Sequence, residues 1–195
     1  MARPREFDEE TVLEAATQRF WNNGYEATSM RDLADHTGMT TPSLYNAFGD
    51  KKAIYRLVLD RYVRLALMAC DETFGGERTA VAALERYFDA LIEEALADAL
   101  QKGCFVVNTA LEVAPHDADF RDLVTKVFGQ IEKYLRDCIV SGQSDGTIRT
   151  KLPAADLARL FLSATLGIRV LARTNSEREL LTGVVRPLFA LLQAT

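Results

Sequence analysis

Apolar residues recur at helical spacing along almost the whole chain, and no segment competes with the two-residue alternation of a strand. In residues 8–23, Val12, Leu13, Ala16, Phe20 and Trp21 fall on one helical face, and Asn23-Gly24 ends the run. From 28 to 52 the periods are shorter. Leu33 and Ala34 make one apolar face, Leu44, Ala47 and Phe48 make another, and Gly38 separates them. A long fourth helix is predicted from Gly49-Asp50-Lys51-Lys52 to about residue 73, through Ile54, Leu57, Val58, Val63, Leu65 and Leu67. Phe74-Gly75-Gly76 reads as a break. Further helices are predicted over 79–101, 104–114, 117–140, from 153 onward, and over 177–194. A turn-rich loop fills 141–153, and Asn175-Ser176 breaks the last pair. The expected fold class is all-α, with about nine helices in two units: residues 1–52, and a larger helical domain over 53–195.

The short helices at 28–52, TSMRDLADHTGMTTPSLYNAFGDKK, carry their own start and stop signals. Thr28 or Ser29 can cap the first, with Asp32 where a carboxylate suits a helix N-terminus. Gly38 can take the left-handed conformation that ends it. Thr40 can cap the second, and Pro42 is tolerated in its first turn. With Leu44, Ala47 and Phe48 turned inward, Thr41, Ser43, Tyr45 and Asn46 are left pointing out. That is helix-turn-helix anatomy, in which small polar residues at the start of a second helix enter a major groove and hydrogen-bond base edges. The bland alternative is a helical hairpin with a solvated polar face.

The order Leu33-Ala34, Gly38, Thr40, then Leu44-Tyr45-Asn46-Ala47-Phe48-Gly49-Asp50-Lys51 resembles the tetracycline-repressor (TetR) family of bacterial transcriptional regulators. The resemblance covers residues 7 to about 60; beyond residue 65 it is one of length and helical layout. It implies DNA contacts by Thr40, Thr41, Pro42, Ser43, Tyr45 and Asn46, with Thr28, Tyr45 and Lys51 positioning phosphates. It also implies a four-helix dimer interface from the last two helices, and a ligand cavity among the fourth to seventh.

Charge complicates this picture and then supports it locally. The net charge of −5 argues against a generic nucleic-acid binder, but the charge on the docking face is what matters. Residues 1–5 carry Arg3 and Arg5 and no acid, which suits either an arm reaching phosphates or a minor groove, or a plain disordered basic tail. Residues 50–64 carry Lys51, Lys52, Arg56, Arg61 and Arg64 against Asp50 and Asp60, a local excess of three. Lys51 and Lys52 lie in a first helical turn, where the dipole disfavours cations; a DNA phosphate there would remove the conflict.

The chain is 195 residues long and 48% apolar, enough for a sizeable core. It has no run of 18 apolar residues and no apolar leader, so neither a membrane span nor a signal peptide is expected, and a cytoplasmic location is. Cys70, Cys104 and Cys138 are odd in number and widely spaced, which favours reduced thiols over a disulfide framework.

Candidate effector chemistry concentrates in 104–114, CFVVNTALEVA. Cys104, Asn108 and Glu112 share one narrow stripe on an otherwise apolar helix. Polar groups on a buried helix need partners, which can be side chains, water or a ligand. Tyr134, Cys138 and His116 are further polar candidates. No CxxC or HxxxH spacing supports a metal site, and no cofactor is expected. In the last two helices Ala164 and Gly167 permit close approach, and Leu181, Val184, Leu188 and Leu191 form an apolar stripe suited to a dimer.

The expected function is a homodimeric, DNA-binding repressor released from double-stranded operator DNA by a small-molecule effector. A thiol- or metal-responsive regulator of the same fold is the nearest alternative. A helical-bundle enzyme lacks a Ser-His-Asp order, a phosphate-binding glycine loop, and more than two histidines. An architectural DNA binder leaves the long segment beyond the reading head without a purpose.

Overall fold

A computed structural model describes residues 8–76 and 79–194; the basic arm with Arg3 and Arg5 lies outside them. The described residues form nine α-helices: α1 Glu9–Asn23, α2 Met30–Thr37, α3 Thr41–Phe48, α4 Lys51–Gly76, α5 Ala80–Ala97, α6 Phe105–Glu112, α7 Ala118–Asp145, α8 Ala154–Leu171 and α9 Arg178–Gln193. Among the described residues, none of these helices is long and apolar enough to cross a membrane.

Two apolar cores organise the chain. The first gathers α1, α2, α3 and the start of α4, through Phe20, Leu33, Leu44, Tyr55 and Val58. It does not stop at the helix-turn-helix unit. Phe105 and Val106 of α6, and Phe120, Leu123 and Val127 of α7, complete it. The second core joins α5, the later half of α7, α8 and α9 through Phe88, Leu91, Leu135, Ile139, Phe161, Ile168 and Leu188. At about 1.5 Å per residue, the 28 residues of α7 span roughly 42 Å, long enough to serve both.

Three helix ends differ from the periodicity reading. α4 runs through Phe74-Gly75-Gly76 instead of breaking there. Phe74 packs on Tyr87 and stacks on Tyr134, with centroids 5.4 and 5.7 Å apart, and this packing outweighs roughly 1 kcal/mol per helical glycine. α7 continues to Asp145, because Gly142 is buried against Ala80 and Ile148 where the pattern suggested a loop. α5 ends at Ala97, short of residue 101.

The faces of α8 and α9 are also reassigned. Leu181, Val185, Leu188 and Leu192 are buried within the subunit, so Leu188 belongs to its own core and not to an outer stripe. Leu160 and Val170 of α8 and Leu180 of α9 are left exposed. Gly167 and Gly183 have open space where a side chain would begin, so the outer face of this helix pair is low and apolar.

Candidate nucleic-acid interface

The reading head is assembled from local signals. Asp32 N donates to Ser29 Oγ at 3.1 Å, and Ser29 N donates back to the Asp32 carboxylate at 2.9 Å, a complete capping box. The Asp32 carboxyl sits below its ordinary value chiefly because it accepts from the Ser29 hydroxyl at 2.5 Å and then from Ser29 N; Arg19, 3.1 Å away, adds to them. Gly38, at φ +71°, closes α2 in the left-handed conformation. Thr40 then caps α3, accepting from Ser43 N at 3.3 Å, with its hydroxyl 2.8 Å from that of Ser43. Leu44 and Phe48 are buried beneath α3. Thr40, Pro42, Ser43, Tyr45 and Asn46 are exposed, and Thr41 is half-buried.

Two of the phosphate-positioning expectations change. Thr28 is fully buried, and its hydroxyl donates to Gly24 O at 2.7 Å. Its side chain is a strut of the turn before α2 and is closed to a phosphate. Lys51 Nζ donates to Tyr25 O at 3.0 Å and lies 4.2 Å above the Tyr25 ring. Lys51 therefore starts from a docked position near the head.

The local positive excess is largely consumed inside the protein. Lys52 bridges Asp117 and Asp119 at 2.7 and 2.8 Å, so the anion at the start of α4 is a pair of carboxylates from the start of α7. Their hydrogen bonds push the Lys52 amine up and hold Asp117 below its ordinary value. Arg61 pairs with Glu10 and Glu14, and Arg56 with Asp60.

The Cys104–Asn108–Glu112 stripe is on one side of α6, but it does not line a single cavity. Cys104 is the N-cap residue of α6, and its sulfur accepts from Tyr62 Oη at 3.6 Å. Asn108 donates to Lys102 O at 2.8 Å and accepts from Arg173 at 3.2 Å. Glu112 accepts from Glu26 N at 2.8 Å. Asn108 and Glu112 instead edge a cleft of ≈ 330 Å³ between the end of α1 and α6, backed by Phe20, Trp21, Tyr55 and Phe105. Tyr134 is elsewhere, donating to Asp71, with its phenol pushed up to about 12 chiefly by that carboxylate. Cys138 donates to Ala80 O at 3.3 Å, and burial pushes its thiol up to about 11. His116 is exposed beyond α6.

A polar cluster inside the helical body escaped the sequence reading. The Arg169 guanidinium of α8 reaches Glu94 of α5 at 2.7 Å and lies near Tyr62 and Cys104. Tyr87 of α5 and Thr165 of α8 lie nearby, and burial raises the Tyr87 phenol. The available signal was Arg169 itself, a lone charge in the apolar run ATLGIRVL. Among the described residues, no group of three His, Cys, Asp or Glu is placed to hold a metal ion.

Residues 12–58 match the family "Bacterial regulatory proteins, tetR family", and residues 80–188 match "Tetracyclin repressor-like, C-terminal domain". The chain is 31% identical to the HTH-type transcriptional repressor ComR of Escherichia coli (strain K12), over 91% of this chain and 85% of that one. It is 27% identical to the HTH-type transcriptional repressor DhaR of Mycobacterium sp. (strain GP1), over 94% and 92%. Among solved structures, a cysteine mutant of the TetR family transcriptional regulator CifR, complexed with 26-base-pair double-strand operator DNA, superposes with a TM-score of 0.84 at 29% identity. That match covers 97% of this chain and 99% of the other.

Proposed function

The chain belongs to the tetracycline-repressor family, and from that premise we propose that it is a homodimeric transcriptional repressor released from its operator by a small-molecule effector. The observation that carries the reading is the start of α3, where Pro42, Ser43, Tyr45 and Asn46 are exposed on a helix anchored by Leu44 and Phe48. ComR and DhaR are repressors, and CifR is solved on operator DNA; these support the assignment. Reading a two-fold-related site needs two heads about one helical turn apart, roughly 34 Å. The outer face of α8 and α9, with Leu160, Val170 and Leu180 exposed, is the surface we assign to the dimer.

The effector site we favour is the cluster of Tyr62, Cys104, Tyr87 and Arg169, where hydrogen-bonding groups converge within an apolar body. An effector there touches α4, α5, α8 and the start of α6. Its differential affinity for two dimer states would change the spacing of the heads. Operator DNA must then weaken the effector by the same factor. The reading includes no catalytic step and no cofactor.

The test is a fluorescence titration of operator and random duplexes over a range of salt. Asn46→Ala should lose operator affinity while keeping random-DNA affinity, because a base contact carries sequence information. Lys51→Ala should weaken both alike and lower the salt slope by roughly one. Equal losses from Asn46→Ala on both duplexes would remove it from base readout.

A further inference from the structure

The segment between α1 and α2 sets where the reading head begins, and several of its backbone groups are bonded close by. Gly24 N donates to Phe20 O, and Gly24 O accepts from Thr28 Oγ1 at 2.7 Å. Tyr25 O accepts from both Thr28 N and Lys51 Nζ. Ser29 follows as the cap of α2. Each of those partners belongs to α1, the segment itself or the start of α4. Glu26 N is bonded differently. It donates at 2.8 Å to the Glu112 carboxylate, which comes from the last residue of α6 in the helical body.

The fit around that carboxylate is close. A Cβ at Gly24 would lie 2.9 Å from both Glu112 oxygens, and Gly24 has φ +83°, which glycine tolerates best. Glu112 therefore occupies a socket formed by a residue without a side chain and the next-but-one amide. The start of α6 is tied to α1 as well: Trp21 Nε1 donates to Gly103 O at 2.9 Å. The helix thus grips the reading head at both of its ends.

We propose that Glu112 is a positioning residue for operator binding: its carboxylate, seated against Gly24 and bonded to Glu26 N, fixes the segment that orients α2 and α3. The proposal rests on the operator-binding reading and deepens it. The N-cap of α6, Cys104, lies beside Tyr62 and Arg169, and the helix ends at this socket. It joins the favoured effector site to the head directly, without passing through α4.

The test uses full-length protein and the duplex that wild-type protein enriches from a random-sequence library. Glu112→Ala should speed exchange of the Glu26 amide. It should weaken that duplex by roughly tenfold, the scale of one charge-assisted hydrogen bond, while random DNA and the salt slope stay as in wild type. Glu112→Gln keeps an acceptor oxygen and should stay within about threefold of wild type. Glu112→Asp withdraws the carboxylate by one methylene and should behave like Ala; it decides the matter if Glu112→Ala fails to fold. Operator affinity within twofold of wild type despite faster Glu26 exchange would overturn the positioning role, as would equal losses on operator and random DNA. Unchanged Glu26 exchange would overturn the bond. If wild type enriches no duplex, the operator reading fails instead, and the exchange measurement still tests the contact.

Discussion

Replacing Tyr55 by Phe removes one hydroxyl from the centre of the first core and leaves its shape intact. Tyr55 is 1% exposed, and its ring meets Phe20, Tyr25, Phe105 and Phe120 at centroid distances of 4.9, 4.8, 5.2 and 5.4 Å. Its hydroxyl lies 2.9 Å from Thr109 Oγ1. The Thr109 proton is already given to Phe105 O at 2.8 Å, so Tyr55 is the donor. Tyr55→Phe then leaves only an unfilled lone pair on Thr109, at about 0.5–1.5 kcal/mol and toward the low end. Thr109→Val strands a buried phenolic O–H, at about 1–3 kcal/mol. The double variant removes donor and acceptor together, so it should be no worse than Thr109→Val alone, with a coupling of at least about 0.5 kcal/mol. For a chain of this size each kcal/mol shifts Tm by roughly 2–4 °C. Urea unfolding followed by Trp21, the single tryptophan and a neighbour of Phe105, reads the cycle at one fixed protein concentration. Tyr55→Phe costing more than Thr109→Val would refute the donor assignment, and strict additivity would refute the pair.

Two further outcomes are expected. Lys52→Met should lower Tm at neutral pH by removing the partner of Asp117 and Asp119. Lys52 holds Asp117 below its ordinary 3.8, so the pair stabilises fully above that value and fades as pH falls through the lowered one. Melts of both proteins should converge once pH has fallen below the lowered Asp117 value; a gap that persists in acid points to a different origin. Val170→Glu should give a folded monomer by sedimentation, because Val170 is exposed on the outer face of α8. Leu188→Glu should instead unfold the chain, since Leu188 is 7% exposed inside its own core. A Val170→Glu protein that remains dimeric would move the interface off this face.

The helix-turn-helix unit was legible because its signals are local. Ser29, Thr40 and Gly38 act within one turn of their own position, and they adopt the cap and stop roles their chemistry suggests. The exposed start of α3 follows from Leu44 and Phe48 by the same arithmetic. The shared stripe of Cys104, Asn108 and Glu112 was equally visible.

What faces each residue was decided only in three dimensions. Lys52 reads as a phosphate ligand until Asp119, 67 residues on, arrives beside it. Glu112 reads as an effector ligand until Glu26 N, 86 residues back, takes its carboxylate. Thr28 reads as a surface cap until the turn folds its hydroxyl onto Gly24. On α9, which is apolar around much of its girth, Val184 and Val185 differ by about 100° of rotation. Periodicity says which side chains share a face. It contains no term for which face is covered, because coverage comes from contacts between segments far apart in the chain, and those exist only once the two cores have formed.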